Sequence, residues 1–289
     1  MSWILSNLAL NGWSWSKKGE PWDFSGTKEI VVVTGGCSGF GKLMVERFAG
    51  RAKIVVLDVS PLPKDLQSVP NLKYYRCDLT NRNEVGEIGA SIKADVGDPS
   101  ILINNAGISN TAPILKSPLE VVEKMFKVNL LCHWQTVQEF LPKMLKNKKG
   151  HIVTIASMAS FVSMPGSSDY CSSKAGLVAF HEVLTQECRH GYENGDCIQL
   201  TIVHPSFAST PILRGHEGEL RKMGASVMDP RVVADAVINQ VFSGRSGRLI
   251  VPSSFSLLSF IRGWPIWLQE IFRNHLSRNM MRFRKSVGA

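Results

Sequence analysis

From Glu29 onward the chain alternates short runs of β-branched residues with longer stretches whose apolar positions recur at helical spacing, and nothing else in it is as constraining. A strand buried on both faces reads as a continuous apolar run, so Ile30-Val31-Val32-Val33 and Ile54-Val55-Val56-Leu57 predict a parallel sheet covered by helices on both sides. Strands are expected at 30–34, 53–58, 73–77, 101–104, 151–156, 198–203 and 249–251. Helices are expected after the first Gly-rich turn and around 84–93, 118–145, 170–187 and 230–241, the last opened by Asp229-Pro230 as N-cap and first helical position. The fold class is therefore α/β, a doubly wound parallel sheet of about seven strands. With 289 residues and no repeat or linker rich in Gly, Ser or Pro, one domain is expected at 29–252, with extensions at 1–28 and 253–289.

The formal charge of +9 is uneven. Arg262, Arg273, Arg278, Arg282, Arg284 and Lys285 face only Glu270 near the C-terminus, and the body is close to neutral for its size. That argues against a nucleic-acid binder and places any electrostatic partner, such as an anionic membrane surface met peripherally, at the termini, with a simply solvated basic tail as the alternative. Cys37, Cys77, Cys132, Cys171, Cys188 and Cys197 form no CxxC pair or short framework, which points to a reducing, cytoplasmic setting, in solution or on an intracellular membrane or lipid surface. Histidines and cysteines show no ligand spacing, so no metal is expected. Residues 3–13 are apolar but broken by Ser6, Asn7 and Asn11, and too short to span a bilayer, so neither a signal peptide nor a transmembrane helix is expected.

Directly after the first strand comes Thr34-Gly35-Gly36-Cys37-Ser38-Gly39-Phe40-Gly41, followed by a helical pattern. In a Rossmann-type sheet this is where a pyrophosphate is cradled: glycines permit the tight turn and close approach, and free N–H groups at the helix start supply donors. Alone, such a loop is as readily an ordinary strand-to-helix turn. The second strand, however, ends at Asp58, close to the spacing at which a carboxylate meets the adenosine ribose. A carboxylate accepts from two ribose hydroxyls and repels a 2′-phosphate, and neither Cys37, Ser38 nor Val59 offers a cation, so NAD(H) is the expected cofactor over NADP(H). The alternative role for Asp58 is a helix cap, for which Ser60-Pro61 reads as the better pair.

Tyr170-Cys171-Ser172-Ser173-Lys174 opens a helical stretch, which sets phenol and ammonium on one face, one turn apart. A free tyrosine titrates near ~10. One cation at ~5 Å through an effective dielectric of ~20 contributes about 3.3 kcal/mol, enough to make the phenol a base near neutrality. Upstream, the strand at 151–156 runs out at Ser157, on the edge where open α/β sheets bind ligands, so its hydroxyl is placed to hold a substrate oxygen. A bare Tyr-x-x-x-Lys is usually a surface pair; its position behind a dinucleotide loop is what gives it weight.

These motifs together resemble the short-chain dehydrogenase/reductases, whose pattern is a TGxxxGxG loop, an NNAG strand end, Asn, Ser and YxxxK. Here they stand in order as Thr34 to Gly41, Asn104-Asn105-Ala106-Gly107, Asn129, Ser157, Tyr170 and Lys174. The resemblance implies that Tyr170 is the acid/base and that Lys174 also bonds the nicotinamide ribose. It further implies that Asn129 holds a water or helix backbone connecting Lys174 to solvent, that Asp78 and Leu79 contact the adenine, and that Asn105, Ala106 and Gly107 lie along the cofactor. It implies contacts from Pro205 and Thr210 and a homo-oligomer. One departure is Pro205-Ser206 where the family usually has Pro-Gly; Pro205-x-Phe207 resembles the retinol and 17β-hydroxysteroid dehydrogenases.

The expected function is an NAD(H)-dependent oxidoreductase for a small-molecule alcohol, ketone or aldehyde of lipophilic character. A biosynthetic carbonyl reductase and a non-catalytic NAD(H)-sensing or interaction module are the alternatives. Residues 207–227 follow a strand ending over the site and read equally as a substrate lid or a surface loop. Beyond Val251, Phe255, Leu257, Leu258, Phe260, Ile261, Trp264, Ile266, Trp267, Ile271 and Phe272 are interleaved with arginines, and Gly263 and Pro265 interrupt any helix. Such a segment covers the substrate opening, meets a subunit or lies in a membrane interface. Trp3, Trp13, Trp15 and Trp22 pose the same question at the other end.

Overall fold

Seven strands, β1 (Ile30–Thr34), β2 (Lys53–Asp58), β3 (Leu72–Arg76), β4 (Ile101–Asn104), β5 (Gly150–Ile155), β6 (Ile198–Pro205) and β7 (Gly247–Val251), form one sheet in the order β3-β2-β1-β4-β5-β6-β7. All six pairings are parallel. The computed structural model describes residues 2–16, 18–213, 217–222 and 224–286; the side chains of residues 2, 3, 219, 222, 279, 280 and 282–286, among them Trp3, Arg282, Arg284 and Lys285, fall outside that description.

The period of two along each strand divides the core. Val31, Val33, Ile54, Val56, Ile101, Ile103 and Val153 face α2 (Gly39–Phe48) and α8 (Pro230–Ser243). Val32, Val55, Leu57, Leu102, Ile152 and Leu200 face α3 (Arg82–Asp95), α5 (Cys132–Lys146) and α6 (Ser168–His190). Capping follows composition: Asn81 accepts from the N–H groups of Asn83 and Glu84 at the start of α3, and Asp229 from that of Arg231 at the start of α8. Because β1 lies between β2 and β4, the connections leave it in opposite directions and open a crevice at the carboxyl ends of β1 and β4.

Several boundaries differ from the sequence reading. Strands β3 and β5 start and end one residue earlier, β6 extends to Pro205, and β7 starts at Gly247. Gly247 and Arg248 carry no strand signal of their own and are recruited by pairing with Thr201 and Ile202. The helix expected over 118–145 is α4 (Leu119–Phe126), a π turn (Lys127–Leu131) and α5. Ser60-Pro61 caps no helix: the 3-10 turn that follows (Lys64–Leu66) has Pro63 at its N-cap, and the Ser60 N–H instead donates to Asp58 at 2.9 Å. Residues 207–227 are described except at 214–216 and 223, and include a short helix, α7 (Glu217–Lys222). All six cysteines are free thiols.

The two extensions go to opposite edges. At the N-terminus, α1 (Ser2–Leu10) leads to Asn11, which exchanges hydrogen bonds with the backbone of Ser246 just before β7, where the strands begin. Trp22 stacks on Phe24, and Phe24 packs on Phe242 with ring centroids 4.5 Å apart. At the C-terminus, a 3-10 stretch (Ser253–Gly263) follows β7 at the edge where the strands end, then α9 (Ile266–Ser286). Ile261 packs on Met158 and Phe161, and the Arg262 guanidinium donates to the Ser160 carbonyl at 2.9 Å. Among the described residues no helix is long and apolar enough to cross a membrane.

Candidate active site

The crevice at the carboxyl ends of the strands is a cavity of about 540 Å³. It is lined by Gly35, Ser38, Gly39 and Phe40 from the first turn, Asp58 from β2, and Asp78 and Leu79 beyond β3. Asn105, Ala106 and Gly107 beyond β4, Tyr170 and Lys174 of α6, and Thr210 complete the expected lining. Cys37, Gly41, Asn129, Ser157 and Pro205 stand behind or beside that surface.

The turn after β1 has the shape a phosphate cradle needs. Gly35 has φ +64° and a Cβ there would come within 2.9 Å of Ala106 Cα; a Cβ on Gly41 would lie 2.1 Å from the Gly35 carbonyl oxygen. Gly41 therefore serves close packing of turn on helix. Asn105 locks the same turn, its Nδ2 donating to the carbonyls of Thr34 (2.9 Å) and Gly35 (3.1 Å).

Asp58 accepts from the Cys37 N–H at 2.9 Å on one oxygen and from the Ser60 N–H on the other, leaving each oxygen a further lone pair toward the cavity. Cys37 itself is buried, and desolvation with the nearby Asp58 carboxylate pushes its thiol up to about 12, so it acts through its backbone. The expectation that no cation stands near Asp58 holds for Cys37, Ser38 and Val59 but not for the fold. Arg76 is the register partner of Asp58 across β2 and β3, and both Arg76 and Lys124 line the cavity. Pairing register, which sequence does not state, brings that arginine there. Asp78 spends one oxygen on the N–H and hydroxyl of Thr80, whose hydrogen bonds hold its carboxyl below the usual range.

At the catalytic end, Ser157 follows β5 and accepts from the Ala159 N–H at 3.1 Å, and its hydroxyl is within hydrogen-bond reach of the Tyr170 phenol. The Lys174 ammonium lies 5.9 Å from the Tyr170 ring centroid and donates to the Ile155 carbonyl at 2.9 Å. Burial pushes Lys174 down to about 8. Tyr170 departs from expectation: burial raises its pKa, the Ser157 hydrogen bond opposes that only in part, and Lys174 is not among the groups that move it. With the protein's own groups alone, desolvation of the phenolate outweighs the activation computed from a cation at ~5 Å.

Asn129 sits in the π turn, fully buried, and its side chain is spent on the backbone of Ile108, accepting from the N–H at 2.8 Å and donating to the carbonyl at 2.9 Å. A positioning residue that sequence reasoning missed is His204 of β6, whose Nδ1 stands 3.2 Å from the Ser157 carbonyl. Burial holds this imidazole at about 3, hence neutral, with Nδ1–H donating to that carbonyl and fixing the backbone that carries the hydroxyl. The Pro205-Ser206 departure costs no strain, since Ser206 is not at positive φ. Thr210 and the adjoining Pro211 approach Gly39 and close one side of the cavity.

The family model for short chain dehydrogenases matches residues 29–219. Estradiol 17-beta-dehydrogenase 11 of Pongo abelii is 34% identical over 243 residues, covering 81% of this chain and 78% of that protein. Epidermal retinol dehydrogenase 2 of Mus musculus is 35% identical over 224 residues, covering 73% and 72%. Among solved structures, a short chain dehydrogenase/reductase from Burkholderia phymatum in complex with NAD has a TM-score of 0.75 at 23% identity, covering 86% of this chain and 97% of that one. That likeness speaks for the fold.

Proposed function

The chain belongs to the short-chain dehydrogenase family, in the part that resembles the retinol and 17β-hydroxysteroid dehydrogenases, and we propose that it moves a hydride between NAD(H) and a lipophilic alcohol or carbonyl carbon. The observation that carries this reading is the convergence of Tyr170, Ser157 and Lys174 at the end of the crevice whose other end holds Asp58. Bound NAD(H) supplies or receives the hydride. Asp58 has lone pairs that would accept from the ribose hydroxyls, and the N–H groups at the start of α2 would hold the pyrophosphate. Ser157 would orient the substrate oxygen and Tyr170 would exchange the proton on it, while Lys174 would hold the nicotinamide ribose and, with Asn129, would return the proton from solvent. The family names of the relatives, a steroid and a retinol dehydrogenase, support a lipophilic substrate.

Burial raises the pKa of Tyr170, so its neutral phenol is the proton donor that reduction needs, and cofactor ratios set the direction of the net reaction. Reduction is expected to hold steady near neutrality and fall as pH rises through that pKa, and oxidation, which needs the phenolate, to rise. The decisive experiment is Tyr170→Phe, which keeps the ring and deletes the proton. Turnover over a panel of lipophilic alcohols and ketones, followed by NADH absorbance, should fall about 10²- to 10⁴-fold with NADH affinity unchanged. Near-normal turnover would refute the assignment.

A further inference from the structure

Parallel strands send all their carboxyl ends to one edge, and exposed apolar side chains collect there. Ile114, Leu115 and Leu119 follow β4, and Leu257 (75% exposed), Phe260 (65%), Ile266 (70%), Trp267 (65%) and Ile271 (60%) follow β7. Residues three apart in a 3-10 helix eclipse. Phe255, Leu258 and Ile261 therefore form an inward ridge against Met158 and Phe161, while Leu257 and Phe260 form an outward one. In α9, Leu268, Gln269 and Phe272 turn toward the body, and Ile266, Trp267 and Ile271 share the outer face with Arg278. The apolar ridges thus lie beside the turn that carries Ser157, with cations next to them.

We propose that this edge docks on an anionic lipid bilayer, lying in its interface with the mouth of the crevice toward the lipid. Charge decides between a bilayer and a second copy of the chain. Six basic residues against one acidic occupy 253–289, and the carboxylate of that acid, Glu270, is already paired with Arg273 at 2.8 Å. A two-fold interface would press this basic segment onto itself, whereas an anionic bilayer accepts both the cations and the apolar ridges. The N-terminal Trp13 and Trp15 are exposed too, but they lie by Arg245 and Ser246 at the opposite edge and take no part. The docking itself stands apart from the chemistry; only passage of a lipophilic substrate from bilayer to crevice rests on the reaction proposed above.

The test is flotation of the full chain with phosphatidylcholine vesicles, with and without phosphatidylserine. Wild type should float with the anionic vesicles, and less so as salt rises. The combined Leu257→Ser, Phe260→Ser, Ile266→Ser, Trp267→Ser and Ile271→Ser variant should float at least about tenfold less, with circular dichroism and turnover of a short water-soluble alcohol retained. Trp267→Ser alone should weaken flotation several-fold, which keeps the test decisive should the combined variant misfold. Trp13→Ser with Trp15→Ser should float like wild type. The proposal is overturned if wild type stays with the soluble fraction, if the patch variants float undiminished, if the N-terminal pair abolishes flotation, or if sedimentation shows the patch variant dissociating an oligomer. Loss of turnover with flotation intact would instead count against the reaction.

Discussion

Two buried charges mark the two edges of the sheet. Where the strands begin, Glu29 is 1% exposed and accepts from Lys149 at 2.5 Å, from the Ser100 hydroxyl at 2.7 Å and from the Asp23 N–H at 2.9 Å. Where they end, Lys174 is 4% exposed and has the Ile155 carbonyl, with no carboxylate paired to it among the described residues. Both ions give up water; only the first is fully repaid in partners. The difference teaches that this fold balances its charges where it must hold together and leaves one unbalanced where it must react.

The comparison breaks most visibly at Glu29. Glu29→Ala leaves Lys149 facing the buried end without its partner and should cost about 3 to 5 kcal/mol in urea unfolding; an unchanged midpoint would erase the contrast. Lys174→Met should do the opposite, gaining at most about 3 kcal/mol at neutral pH while turnover collapses. The sign follows from linkage: Lys174 titrates at about 8 in the folded chain against an ordinary 10.5, so the unfolded chain binds more protons between those values. Wild-type stability from this group therefore rises with pH across that window, and the gap to Lys174→Met should close there. A Met variant that unfolds earlier at neutral pH would show the ammonium to be stabilising after all.

At the nucleotide end of the reactive edge, Asp58→Ala leaves Arg76 without its neighbouring carboxylate and free to meet a 2′-phosphate. Preference should move toward NADP(H) by about tenfold, ~1.4 kcal/mol, in paired titrations; an unaltered preference would remove Asp58 from the cofactor reading. The smallest effect belongs to Trp15, 61% exposed beneath the Arg245 guanidinium, where Trp15→Ala should shift stability by less than about 0.5 kcal/mol.

Strand existence and order of motifs were legible because burial on both faces forces continuous apolar runs, as in Val31-Val32-Val33 and Ile54-Val55-Val56. What stayed hidden depends on neighbours. The π turn at Lys127–Leu131 arises where Asn129 grips Ile108, a contact between residues far apart in the chain. Arg76 reaches Asp58 only through strand register, and His204 reaches Ser157 only because β5 and β6 are adjacent. The direction of the Tyr170 shift is hidden too, because the spacing of Tyr170 and Lys174 says nothing of how dry the pocket is, and burial there raises the phenol.

The placement of β1 between β2 and β4 has a further consequence. Asp58 and the Gly-rich turn come from before β4, and Ser157, Tyr170 and Lys174 from after it, so the two ends of the crevice are built by different parts of the chain. Changes beyond Val203, in the segment holding Thr210 and α7 or in the tail after β7, can redirect the enzyme to another molecule while the Gly-rich turn and Asp58 are inherited intact.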